Sequence, residues 1–321
     1  MSGPQFIDTV LKATGADDVT YTDRVQSLWE GYGEILRVGL EGSDYPSVIV
    51  KHVRWPDRKK SRVSDRSHQR KVRSYQVEMN WYENYSSRCT DLCRVPRLLA
   101  KQAGKGEVLL VLDDLDAAGF SRRKNRASMS DARVCIGWLA NFHAQFMGER
   151  PEGLWKLGTY WHLSTRPDEL KRLNDNTLRN AASAIDLKLR STAFQTIVHG
   201  DAKLANFCFA RDSRSVAAVD FQYVGGGCGM KDLAYLVGSC FDESEAERLE
   251  EELLDLYFRI LLRALTERDY EGDADRLEKE WRSLYPLAWT DFHRFLKGWA
   301  DGFWSPNCYS ERVAREVIAQ L

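Results

Sequence analysis

His199, Asp201, Lys203, Asn206 and Asp220 are the residues of this chain whose types and order could do chemistry. Four of them stand in the run His199-Gly200-Asp201-Ala202-Lys203-Leu204-Ala205-Asn206, and Asp220 follows a short apolar stretch, just before Phe221. These are the groups that phosphoryl transfer needs: a carboxylate beside the attacking hydroxyl, a cation for the phosphate, and two oxygen ligands for magnesium. Asp201 would accept the hydroxyl proton. Lys203 would neutralise γ-phosphate charge. Asn206 would offer its amide oxygen to Mg2+, and Asp220 would bridge the metal to the β- and γ-phosphates of ATP. Asp and Asn are also ordinary turn residues, so a lone His-Gly-Asp reads as a turn. The Asn, a hairpin and a second Asp in this order favour a site.

The elements that must position these residues are legible around them. Gln195 to Val198 reads as a strand entering the loop, and Gly200 permits a sharp bend before Asp201. Cys208-Phe209 and Val216 to Val219 read as the two strands of a hairpin turning at 211–215. Upstream, Gly31 and Gly33 lie between two strand-like stretches within Val25 to Leu40; backbone amides could approach phosphates there, or the pair could mark a plain β-turn. The strand Val48-Ile49-Val50 ends in Lys51, and a helix is expected over Arg73 to Tyr85. Glu78 on that helix is the best partner for Lys51, with Glu83 the second choice. The basic stretch between, from Arg54 to Arg73, reads as a solvated loop, with gathering of ATP phosphates as the next reading. Val108 to Leu112 is an apolar strand ending in Asp113 and Asp114.

The His199–Asn206 run, Asp220-Phe221, and the following Gly-rich stretch with Asp232-Leu233-Ala234 resemble the catalytic core of the kinase-like superfamily. The His-Gly-Asp form is similar to its small-molecule branch, which holds aminoglycoside phosphotransferases, choline kinases and ecdysteroid kinase-like proteins. Glu78-Met79-Asn80-Trp81-Tyr82 resembles a stretch of the ecdysteroid kinase-like group, although Lys203 stands where that group commonly carries an aromatic residue. The resemblance implies an α+β, protein-kinase-like fold of two lobes. A small β-rich nucleotide lobe would span residues 1–115, and a larger helical lobe with the catalytic loop would span 116–321. It further implies that Lys51 holds the α- and β-phosphates, that Val108 to Leu115 is the hinge bonding adenine, and that Asp232 braces the catalytic loop. A simple N-cap role for Asp232 is the plainer reading. His143 and His199 are expected as hydrogen-bonded core residues and not as bases.

Composition bounds the rest. The chain has 321 residues, is 43% hydrophobic and carries net charge −1, so no nucleic acid or anionic membrane is expected as partner. No apolar run approaches the roughly 20 residues that span a bilayer. Seven cysteines without metal spacing read as reduced thiols of a cytoplasmic enzyme. The expected activity is ATP- and Mg-dependent phosphorylation of a hydroxyl on a small molecule. A protein kinase and a catalytically idle pseudokinase are the alternatives. Helices are expected from about Ala117, then over Glu245 to Leu265 and Trp281 to Phe303. Trp289, Trp299, Phe303 and Trp304 read as core before they read as a choline-type cation–π box. Asp242, Glu243 and Glu245 could receive an amino-sugar, or could simply begin a helix. An apolar alcohol ranks first as acceptor.

Overall fold

A computed structural model describes residues 3–55, 65–104, 106–300, 302 and 304–321. The basic residues within 56–64 and Phe303 lie outside the described residues. The chain runs α1 (Gly3–Thr14), β1 (Asp18–Ser27), β2 (Gly33–Glu41), β3 (Ser47–Arg54), α2 (Asp65–Asn84), β4 (Leu98–Gly104) and β5 (Glu107–Asp113). The five strands form one antiparallel sheet in the order β1-β2-β3-β5-β4. Side chains alternate between its faces. Leu36, Val38, Val48, Val50, Leu109 and Val111 pack under Val10 of α1. Val53, Leu110 and Leu112 take the opposite face, and alternation puts Lys51 there too, toward α2. Lys51 is therefore mid-strand, since β3 continues to Arg54.

Helix α2 begins at Asp65, not near Arg73, so the second half of the expected basic loop is helical. Arg and Lys are good helix formers, and the turns they make carry bonds across the molecule. Arg66 pairs with Asp168 at 3.0 Å, and Arg70 and Arg73 donate to the carbonyls of Thr165 and Leu154 at 3.2 and 2.9 Å.

Residues 114–128 hold no helix, contrary to expectation, and the helical part starts with α3 (Met129–Gln145) behind a Ser128/Asp131 capping box. It continues through α4 (Pro167–Arg172), α5 (Asn176–Arg190), β6 (Thr196–Val198), β7 (Phe207–Phe209), β8 (Val216–Ala218) and β9 (Gly225–Gly227). Then follow α6 (Met230–Cys240), α7 (Glu243–Thr266), α8 (Ala274–Trp299) and α9 (Tyr309–Ala319). Short β-pairs β6–β9 and β7–β8 hold the loops that carry Asp201 and Asp220.

One apolar core runs from the sheet through α2 into the helices. Trp81 of α2 is its joint: it stacks on Phe221 at 4.6 Å and meets Phe142 and Phe146 of the α3 region at 5.6 and 5.4 Å. Deeper in the helical part, Asp291 is 1% exposed and receives Lys231 at 3.1 Å and Arg294 at 2.9 Å. The two cations more than offset burial and bring this carboxyl down to about 2. All seven cysteines are free thiols. Among the described residues no helix is long and apolar enough to cross a membrane.

Candidate active site

The catalytic run is held from behind. Strand β6 ends at Val198, and Gly200 then takes φ +81°. A Cβ at Gly200 would lie 2.1 Å from the Tyr223 carbonyl, so only glycine fits. Asp232 accepts the backbone N–H groups of His199 and Gly200 at 2.6 and 2.9 Å. It is not the cap of α6; that position is Gly229, and Asp232 lies in the first turn with its carboxylate spent on the loop. His143 is fully buried and bridges Tyr257 and Asp232. His199 donates from Nε2 to the Val219 carbonyl and accepts from Asp201 N–H at Nδ1, so its tautomer is fixed. Burial holds its imidazole below the ordinary value, so it stays neutral and braces the loop.

Asp201 emerges from this brace 5% exposed. Lys203 Nζ lies 3.1 Å from its Oδ2, and Asn206 Nδ2 donates to the same oxygen at 3.0 Å and to the Asp201 carbonyl at 2.7 Å. Burial, then the charge of Asp220, push the Asp201 carboxyl up to about 6 against the pull of Lys203 and Asn206. Asp220 itself sits beyond β8 at φ +70°, a conformation that Asp tolerates better than most residues. Oδ1 of Asp201 and Oδ1 of Asp220 are both buried without a partner. Buried carboxylate oxygens normally have one, so this pair points to a bound cation or substrate. The Asn206 amide nitrogen is committed to Asp201, which leaves its oxygen for a cation. The Asp220 carboxylate and the Asn206 amide oxygen could hold Mg2+, which keeps waters and phosphate oxygens as its other ligands. Among the described residues no group of three or more His, Cys, Asp or Glu side chains gathers for a metal.

Across the cleft, Lys51 Nζ lies 2.7 and 2.6 Å from the two Glu78 oxygens. Burial, and after it Asp220, keep the Glu78 carboxyl above its ordinary value despite the lysine. Glu83 instead pairs with Lys101 at the surface. Gly31 and Gly33 turn the chain into β2 with φ +76° and +121°. The cleft between has a volume of about 310 Å3. Ile35 and Ile49 line it from the sheet, Cys208 and Val219 from the hairpin, and Leu112 to Leu115 from the connection; Lys51, Glu78, Asn206 and Asp220 share it. Asp113 and Asp114 are bound into the frame by Arg94 and by Arg37 with Ser47.

Sequence reasoning missed several groups here. Lys71 of α2 donates to Gln222 at 2.7 Å and sits 4.8 Å over the Tyr75 ring. Burial lowers its ammonium to about 8, with Asp220 raising it and Lys51 lowering it. Its seven-residue spacing from Glu78 was the available signal, had the helix been extended upstream. Tyr160, Tyr223 and Tyr235 surround Asp201 on the other side. Burial raises all three phenols above their ordinary value, helped by the Asp201 charge most at Tyr235. Tyr160 N–H donates to the Gly200 carbonyl at 2.7 Å, and its ring meets Tyr223, Phe295 and Trp299.

Of the tryptophans, Trp289 is buried and bonded to Ser310, and Trp304 packs on His293. Trp299 is 47% exposed, but the Arg166 guanidinium already lies 5.0 Å over it and 4.1 Å over Tyr160. Asp242 caps α7 and Glu243 holds Ser310, so the acidic run is a helix start.

Residues 155–270, which contain Asp201, Asn206 and Asp220, match the ecdysteroid kinase-like family. No curated protein matches the chain in sequence. An aminoglycoside phosphotransferase of Streptomyces rimosus, solved with ADP and streptomycin, is 19% identical; the match covers 90% of this chain and 100% of that one, with a TM-score of 0.50. A Haemophilus somnus protein described as a candidate fructosamine-3-kinase is 12% identical over 98% of this chain and 96% of its own, with a TM-score of 0.47. The expected α+β kinase-like fold, with its antiparallel sheet and helical part, is the fold observed.

Proposed function

We propose that the protein is an ATP- and Mg-dependent phosphotransferase acting on a hydroxyl of a small molecule. The observation that carries this reading is the orphaned, buried oxygen of Asp220 in a cleft that it shares with Asn206 and the Lys51–Glu78 ion pair, near the orphaned oxygen of Asp201. The family match over residues 155–270 supports it. Asn206 and Asp220 would hold the metal, which would screen phosphate charge when bound. Lys51, fixed by Glu78, would hold the α- and β-phosphates, and the Gly31–Gly33 turn would cover them. In the reaction the acceptor oxygen attacks the γ-phosphorus, its proton passes to an Asp201 oxygen, and the bond to the β–γ bridging oxygen breaks to release ADP. A carboxyl raised to about 6 is more basic than an ordinary Asp and still ionised at neutral pH. Lys203 would steady the charge on Asp201 and on the transferred phosphate.

The acceptor side favours a neutral or amphipathic alcohol. Tyr160 and Tyr235 lie near Asp201 there with Trp299 packed on Tyr160, Arg166 covers the ring faces that a quaternary amine would need, and the Asp242–Glu243 carboxylates are engaged elsewhere. The test is a library of small alcohols incubated with Mg-ATP, read as ADP release and a mass gain of one phosphate. Acceptor-dependent turnover is expected. Tight nucleotide binding without turnover across the library would instead establish the pseudokinase alternative.

A further inference from the structure

Lys51 and Lys203 each have a carboxylate within 3.1 Å, namely Glu78 and Asp201. Lys71 differs. Its ammonium is drawn into the same region, yet its hydrogen-bond partner is the neutral amide oxygen of Gln222 and its other neighbour is the face of Tyr75. Among the described residues no carboxylate reaches it within 4 Å. A cation taken out of water without a counter-charge is costly, and the cost falls when an anion arrives.

The placement is specific. Lys71, Ser74, Tyr75 and Glu78 recur at helical spacing along one face of α2. Lys71 thus stands two turns, about 10 Å, from Glu78 along the axis. Both ammoniums sit over one ring: Lys51 lies 5.6 Å and Lys71 4.8 Å from the Tyr75 centroid. The charges that Lys71 feels most are those of Asp220 and Lys51. Gln222 lines the nucleotide cleft beside Asp220. Holding Gln222 does not require a lysine, because the Ser74 hydroxyl donates to the same oxygen at 3.2 Å.

The geometry points to Lys71 as a second phosphate-binding cation, meeting the terminal phosphate of the nucleotide while Lys51 holds the inner two. This rests on the phosphotransferase reading. With Asp220 committed to a metal, Lys71 would face the γ-phosphate from the α2 side, in addition to Lys203 from the catalytic loop. Lys71 would then discriminate triphosphate from diphosphate, favouring ATP entry and ADP release.

Calorimetric titration of the full chain with Mg2+ plus the β,γ-imido analogue of ATP, and separately with Mg-ADP, tests this without an acceptor. Lys71→Met and Lys71→Gln should each weaken the triphosphate about tenfold or more, the scale of a charge-assisted hydrogen bond, and change Mg-ADP by less than about threefold. Lys71→Arg should restore most of the difference. If both neutral variants keep the wild-type ratio of the two affinities, even with a lowered melting temperature, Lys71 is only a tether and the assignment falls. Equal weakening of both nucleotides overturns it as well. A wild-type chain that binds neither nucleotide removes the phosphotransferase reading and this one together.

Discussion

Glu78 and Asp291 are both buried carboxylates bonded to a lysine, yet their surroundings push them in opposite directions. Asp291 has two cations, Lys231 and Arg294, and its carboxyl falls to about 2. Burial wins at Glu78 and its carboxyl rises: it is bonded to Lys51 alone, and Asp220 works against the pull of Lys51 and the more distant Lys71. In the first cluster a single carboxylate is held between two cations. In the second, Glu78, Asp201 and Asp220 share the region with Lys51, Lys71 and Lys203, and two carboxylate oxygens stay orphaned, which suits the metal and polyphosphate proposed for it. Burial and ion pairing are common to both carboxylates; the neighbouring charges set the direction in which each one shifts.

Substitutions should divide along that line. Asp291→Ala strands two buried cations and should cost about 3–5 kcal/mol of stability by chemical denaturation, with the surviving folded fraction still binding nucleotide. Acid should act the same way. A depressed carboxyl contributes stability that is complete above the ordinary Asp value of about 4 and is lost as pH falls through about 2. Asp201→Asn should leave the melting temperature near wild type and lower kcat by roughly 10²-fold or more, measured with a saturating acceptor. Near-normal turnover in that variant would end its assignment as the base. Lys51→Ala and Glu78→Gln should each slow transfer, and a double-mutant cycle should give a coupling of about 0.5–3 kcal/mol. Losses that simply add would make the pair as inert as a surface contact. The smallest effect is expected at Trp299→Ala: stability within about 1 kcal/mol and a raised KM for acceptor with kcat little changed. An unchanged KM would move the acceptor away from this wall.

The proposed nucleotide side was far more legible in the sequence than the proposed acceptor side. Asp201, Asn206 and Asp220 lie close together in the chain on a loop and a hairpin, so their spacing alone put them forward as candidates. Lys51 and Glu78 followed from a period-2 strand and a period-3.6 helix, although the strand proved longer and the helix began at Asp65. Local patterning could not show that Arg66 to Arg73 would be drawn into that helix, because the bonds holding them reach Asp168, Thr165 and Leu154. Tyr160, Tyr223, Tyr235 and Trp299 come from four separate stretches that meet only in the fold. The proposed acceptor wall therefore left no local signature. Asp232 was anticipated both as a cap and as a brace, and only the second role is observed, because its carboxylate is committed to the His199 and Gly200 amides.

The seating of Trp81 on Phe221 bears on how the molecule comes apart. Separate lobes joined by a linker commonly melt in separate steps. Here the indole belongs to the helix beside the sheet, while its stacking partner follows Asp220 in the helical half. One continuous apolar core includes both. Neither half can lose its structure without stripping the other of a large aromatic contact. Heating should therefore produce one calorimetric peak whose van't Hoff and calorimetric enthalpies agree, and the sheet-bearing half expressed alone should remain unfolded.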